Sequence, residues 1–177
     1  MFVSEAVIIV SVSALNEQCK KNNFSFMKES RFYSIRWPNS NMLLGELHWS
    51  ISYKYGKMNI IKFMILGDYY ILFTDNPSQA QILDTVLSEI NRSVKLNILL
   101  LPIPVKKHIC SYGDLYINEV DEIFGLTFTF LCSNLISGKV YTNGLVTFSS
   151  NSNFEINCLK KLFKKIIEMV ELNNVNM

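Results

Sequence analysis

Glycine, proline and charge are all scarce in this chain, and each shortage excludes something. Seven glycines in 177 residues supply no phosphate-cradling glycine-rich loop. The G-x-S-x-G frame of a nucleophile elbow is missing around Ser111-Tyr112-Gly113. The four cysteines, Cys19, Cys110, Cys132 and Cys158, form no C-x-x-C pair, so neither a zinc site nor a disulfide framework is announced and reduced thiols are expected. Charged residues make up only 18%, with 17 Lys and Arg against 15 Asp and Glu, which does not support a broad footprint for nucleic acid. No apolar run is long enough to span a bilayer. The stretch Ala6 to Val10 lacks a basic lead, follows Glu5 and is too brief for a signal peptide. The expectation is a cytosolic protein, in which the sequons Asn23-Phe24-Ser25 and Asn91-Arg92-Ser93 are chance matches.

What is abundant is apolar side chain, at 49% of residues. A domain of this length can bury roughly 70% of the surface its unfolded chain exposes, and so few charges leave part of the outside for a partner. The centre of the pattern is Met58 to Thr74. Gly67-Asp68 interrupts it with the residues a tight two-residue turn favours, Gly supplying positive φ. On either side stand Ile60, Ile61, Phe63 and Ile65, then Tyr69, Tyr70, Ile71 and Phe73. This predicts an antiparallel hairpin covered on both faces.

Along the chain, Glu5 to Ser13 predicts a central first strand. A second strand falls at Phe24 to Met27 or Phe32 to Trp37, or else Glu29 to Leu44 holds a short helix broken by Pro38. Alternation at Trp49, Ile51 and Tyr53 predicts a strand within Met42 to Tyr55. After the hairpin, Ser78-x-x-Gln81 reads as a capping box for a helix carrying Ile82, Leu83, Val86, Leu87 and Ile90 on one stripe. Leu96 to Val105, interrupted by Pro102 and Pro104, predicts a buried connector. A second helix is expected from Tyr112 to Phe124, with Leu115, Tyr116, Val120, Ile123 and Phe124 inward and Gly125 ending it. Thr127 to Leu131 and Val140 to Phe148 read as β, the latter bending at Asn143-Gly144. A polar linker, Ser149 to Asn153, leads through a second capping box, Ser152-x-x-Glu155, into a final amphipathic helix. Its stripe of Leu159, Leu162, Phe163, Ile166, Ile167 and Val170 must be covered by something, and is a candidate partner interface. The division expected is a domain over 1–148 and a linker with helix over 149–177.

No catalytic, cofactor-binding or metal site stands out. Glu119, Asp121 and Glu122 fit a solvated helix face better than an acid and base pair. His108 and Cys110 lack a third ligand, although a pocket around them would favour a small enzyme or nucleotide-binding protein. Tyr69, Tyr70, Phe73 and Trp49 fit sheet core better than base stacking. Lys160, Lys161, Lys164 and Lys165 fit a solvated face.

Three stretches resemble the small adaptor and coatomer subunits, most closely the coatomer zeta chain. They are Glu5-Ala-Val-Ile-Ile-Val; Gly67-Asp68-Tyr69 running into Tyr-Ile-Leu-Phe and the helix Gln79 to Val94; and Gly113 to Phe124, with the motif Asp121-Glu122-Ile123. The resemblance implies an α+β, longin-like fold: a mostly antiparallel five-stranded sheet flanked by helices, with an extra C-terminal amphipathic helix. It implies a non-enzymatic subunit of the COPI vesicle coat without cofactors. Such a chain pairs with a large gamma-type subunit and other coatomer subunits, on Golgi membrane recruited through an Arf-type GTPase, in Golgi-to-ER and intra-Golgi transport. A sigma-type clathrin-adaptor chain or a tethering-complex longin subunit is the alternative. The chain departs from the family in having Gly125 alone after Asp121-Glu122-Ile123, and Pro38 where the family places a helix.

Overall fold

The computed structural model describes residues 5–15, 20–38, 43–50, 58–103, 105, 111–150, 153 and 155–175. The continuous β-branched run near the start forms β1, Ala6–Ser13. A meander follows: β2 (Phe24–Lys28), β3 (Arg31–Arg36), β4 (Gly45–Ser50), β5 (Asn59–Leu66) and β6 (Tyr69–Leu72). A 3-10 turn, Pro77–Gln79, opens α1, Ala80–Ile90, and β7, Lys95–Ile98, comes after it. A second meander comprises β8 (Ser111–Tyr112), β9 (Leu115–Asp121), β10 (Gly125–Leu131), β11 (Leu135–Tyr141) and β12 (Leu145–Ser150), and α2 spans Ile156–Val175.

All the strands join one sheet in the order β2-β3-β4-β5-β6-β1-β12-β11-β10-β9-β8, with β7 also on β1. Neighbouring strands pair antiparallel, and β1 is the seam. One edge takes β6, from Ile8 opposite Leu72 to Ser11 opposite Tyr69. Its other edge takes β12 at Ala6 to Ile8 and then β7 at Val10 to Ser13. The order is therefore six strands and a helix, twice over, with β1 and β7 in equivalent places.

Because side chains alternate along a strand, a strand flanked on both edges and covered on both faces must be apolar throughout. In β1, Val7 and Ile9 point into one core with α2, while Ile8, Val10 and Val12 point into another with α1. The two helices thus lie on opposite faces of the sheet. Leu83, Val86 and Leu87 of α1 close the first meander, against Leu47, Ile61, Phe63 and Tyr70. The α2 stripe closes the second meander, against Leu126, Phe128, Phe130, Val146 and Phe148.

The expected hairpin is present. Leu66 pairs with Tyr69 across Gly67-Asp68, and Gly67 has φ +60. Both Phe24–Lys28 and Arg31–Arg36 are strands, so the short helix considered for Glu29 to Leu44 is not formed among its described residues. The first helix lies where its stripe predicts, but Asn76 supplies the cap, its Oδ1 accepting from the Ser78 amide. The box proposed at Ser152 lies outside the described residues.

Other expectations are corrected. The architecture is not a longin-like five-stranded sheet flanked by helices; among the described residues it is mostly β, with one 12-stranded sheet and α1 and α2 as its α-helices. The helix expected over Tyr112 to Phe124 is instead the hairpin β8–β9 and the turn after it. The connector after β7 is only partly buried: Leu101 and Val105 are inside, whereas Leu100 and Ile103 are exposed. Cys132 and Cys158 are not separate thiols but a disulfide. Cys19, His108 and Cys110 lie outside the described residues. No helix among the described residues is long and apolar enough to cross a membrane.

Candidate functional site

The second meander has one face closed by α2 and one that no helix among the described residues covers. Strict alternation builds the uncovered face. In β10, Leu126, Phe128 and Phe130 turn to the core, so Thr127 and Thr129 turn away. In β11, Ile136 and Val140 are core, which leaves Ser137, Lys139 and Tyr141 outward. In β12, Val146 and Phe148 are core and Thr147 and Ser149 face out.

Register assembles these side chains into rows. Glu119, Thr127, Lys139 and Thr147 stand on successive strands of one row. Tyr116, Thr129, Ser137 and Ser149 form the next. Strands lie about 4.8 Å apart, so Glu119 and Lys139, two strands apart, flank Thr127 with backbones about 10 Å from each other. A β-bulge between the pairs Thr127–Glu119 and Phe128–Ile117 leaves Asn118 without a strand partner. Its side chain turns onto this face and donates to Thr129 Oγ1 at 2.6 Å. Bulges bend a strand and increase its twist, and two adjoining hollows open here.

The smaller hollow, about 300 Å³, is lined by Glu119, Asp121, Phe124, Thr127, Lys139 and Tyr141 among others. The larger, about 720 Å³, shares Thr127, Lys139 and Tyr141 with it and extends past Thr147 to Glu5 and Asp75. Among the described residues the lining carries four carboxylates, Glu5, Asp75, Glu119 and Asp121, against Lys139 as its cation. Hydroxyl, phenol and amide groups of Asn118, Thr127, Ser137, Tyr141, Thr147 and Ser149 share the rest with apolar side chains. The result is a shallow trough with a net negative lining.

One end of the trough is apolar. Asp121 Oδ1 accepts from the amides of Ile123 and Phe124, at 2.9 and 3.0 Å, which holds the β9–β10 turn in shape. Thr142 supports it from the neighbouring turn, its amide donating to Phe124 O and its hydroxyl to Ile123 O. The turn so held displays Ile123 and Phe124 at 62% and 68% exposure. The Val105 amide donates to Glu122 O, which brings the segment containing exposed Ile103 to the same turn. Large apolar side chains held this far into water at a rigid turn are unusual, and they mark contact surface.

The residues singled out in the sequence fall in three places. Gly67, Asp68 and Tyr69 form the β5–β6 turn, where buried Lys20 donates to Gly67 O at 2.9 Å and pairs with Asp68. Asp121, Glu122 and Ile123 form the β9–β10 turn, with Asp121 lining the trough. Leu159, Leu162, Phe163, Ile166, Ile167 and Val170 are all within the core, none more than 7% exposed, covered by the chain's own sheet. The row of Glu119, Thr127, Lys139 and Thr147 was not anticipated. Its signal was the Thr-Phe-Thr-Phe alternation of β10, whose threonines could have been read as a polar face. Among the described residues no three His, Cys, Asp or Glu side chains gather as a metal site requires.

No family model, curated protein or solved structure matches the chain.

Proposed function

We propose that this chain is a non-enzymatic binding module that holds an extended, basic and partly apolar segment of a partner protein along the trough. One observation carries the reading: Phe124, 68% exposed, stands at the end of a trough whose lining is acidic. A desolvated aromatic anchor beside complementary charge is the usual energetic centre of a protein interface. The trough is long and open rather than enclosed, which suits a chain lying across it better than a small molecule seated within it.

The coat-subunit expectation came from the likeness of three stretches and from the stripe on α2; the longin-like fold that likeness implied is replaced and the stripe is buried, so the trough is the better-supported reading. The cytosolic, Golgi-associated placement is not carried forward. The disulfide favours a compartment in which thiols oxidise.

A photo-crosslinking residue at position 124, with one at exposed Glu171 as control, tests the reading in cells. The expected result is a partner adduct at 124 alone. Glu119→Lys should weaken it and Lys139→Glu strengthen it. Equal labelling at both positions, or the opposite charge response, overturns the proposal.

A further inference from the structure

The sheet ends differently at its two edges. At one end β8 is only Ser111–Tyr112, and β9 behind it is bulged and carries Glu119 and Asp121. Shortness, a bulge and charge are the devices that keep a sheet edge from accepting further strands. The other end, β2, has none of these over Phe24 to Met27. It is a regular five-residue strand without proline, and among the described residues it pairs only with β3.

The β2–β3 register shows which backbone groups face outward. Lys28 pairs with Arg31 around the two-residue turn Glu29-Ser30, so these two exchange backbone hydrogen bonds with each other. Alternation then turns Phe26 and Phe24 inward. Ser25 and Met27 present their N–H and C=O to the open edge. On the α1 face, Phe24 and Phe26 have ring centroids 5.4 Å apart, and Phe26 stacks on Tyr33 at 5.2 Å. Both phenylalanines remain only half-buried at the border of the first core. An added strand would complete that core as well as the ladder.

We infer that the β2 edge accepts an extended segment of a partner protein that carries acidic residues around alternating apolar ones. Charge chooses between this occupant and a second copy. From Lys20 to Arg36 the cations are Lys20, Lys21, Lys28, Arg31 and Arg36, against Glu29 alone. Lys20 is engaged by Asp68, Lys21 lies over the Trp37 ring and Arg36 stands opposite Glu46, which leaves Lys28 and Arg31 as the cations at the turn end of the strand. Pairing two β2 strands would add Lys28 and Arg31 of one copy to the same cations of the other, whereas an acidic strand neutralises them. The mode is strand addition: main-chain bonds provide affinity, and the row of Phe24 and Phe26 selects side chains at every second position. The surface is distinct from the trough, so either assignment can stand without the other.

The probe is a labelled peptide, Glu-Glu-Val-Thr-Val-Thr-Val-Glu-Glu, with lysine replacing glutamate in its control, read by fluorescence anisotropy and amide exchange on the full chain. The acidic peptide should bind at least tenfold tighter than the control and protect the amides of Ser25 and Met27. Met27→Pro removes only an outward donor, as tolerated on an edge, and should weaken binding at least tenfold. Lys28→Glu with Arg31→Glu should do the same and provides the test where the proline variant misfolds. Glu119→Lys in the trough should leave this binding unchanged. The inference is overturned by equal binding of both peptides, or by binding that survives the Met27→Pro and charge-reversal variants. It is also overturned by tighter binding of oligothymidylate than of peptide, or by a dimer of the free chain that Met27→Pro dissolves.

Discussion

Cys132 and Cys158 are joined by a disulfide that ties the β10–β11 turn to the first turns of α2, with Cα atoms 6.0 Å apart and a sequence separation of 26. The bond closes a loop containing β11, β12 and the start of the helix. Closing a loop of this length removes unfolded-state entropy worth about 3.5 kcal/mol in the chain-entropy account. Replacing both cysteines with serine should therefore lower the urea midpoint and raise the slope, because the unfolded chain without its cross-link expands and exposes more surface. Peptide mapping without reductant should recover residues around 132 and 158 as one linked species.

A second prediction concerns the hairpin that displays the open edge. Glu29 and Ser30 both have positive φ, 51 and 64, in a two-residue turn between Lys28 and Arg31. That is the arrangement in which Asn-Gly is strongly favoured, because L side chains are strained there. Glu29→Asn with Ser30→Gly should stabilise the chain by about 1 kcal/mol. A thermal melt that moves downward would mean that the turn is held by something other than its own backbone.

A third concerns Gly45, which lies opposite Phe63 between β4 and β5. A Cβ at Gly45 would sit on the Phe63 ring, 2.8 Å from Cε1 and 2.9 Å from Cε2. The ring is fully buried and flanked by Trp37 at 5.2 Å and Tyr70 at 5.5 Å, so it has nowhere to retreat. Gly45→Ala should cost about 1–3 kcal/mol as overpacking. The double variant Gly45→Ala with Phe63→Leu should recover part of that loss, and failure to recover any would place the strain elsewhere.

Where local pattern and local structure share one cause, the chain could be read directly. Continuous β-branched residues in β1, Gly67 at a positive φ, and the helical stripes of α1 and α2 each reflect a single period or a single turn. The region 112–124 misleads because of the β-bulge. Leu115 and Ile117 obey strand alternation, but the extra residue at Asn118 pushes the next inward residue to Val120. The resulting spacing of two and then three, followed in the sequence by the apolar but exposed Ile123 and Phe124, imitates a helix face. Asp121-Glu122-Ile123 then reads as a helix end, whereas Asp121 in fact caps a turn through its side chain. The duplicated order of six strands and a helix is carried by topology and leaves no repeat in the residues. Likewise the trough depends on register among four strands, which spacing within any one of them does not disclose.

The α2 stripe yields the last prediction, because its two readings give opposite results. As a partner surface, Phe163 would be dispensable for folding. Its ring instead meets Phe73 and Phe148 edge-on at centroid distances of 6.0 and 5.6 Å, with no exposure. Phe73 follows β6 of the first meander, and Phe148 belongs to β12 of the second. Phe163 therefore connects both halves through one core, and its loss leaves a cavity bordered by each. Phe163→Ala should cost about 3–5 kcal/mol, seen as a lower denaturation midpoint for the isolated chain. Lys161→Ala on the exposed side of the same helix serves as control and should stay within about 0.5 kcal/mol of the parent. If the two variants melt together, α2 is not part of the folded core and the sheet's second face is open.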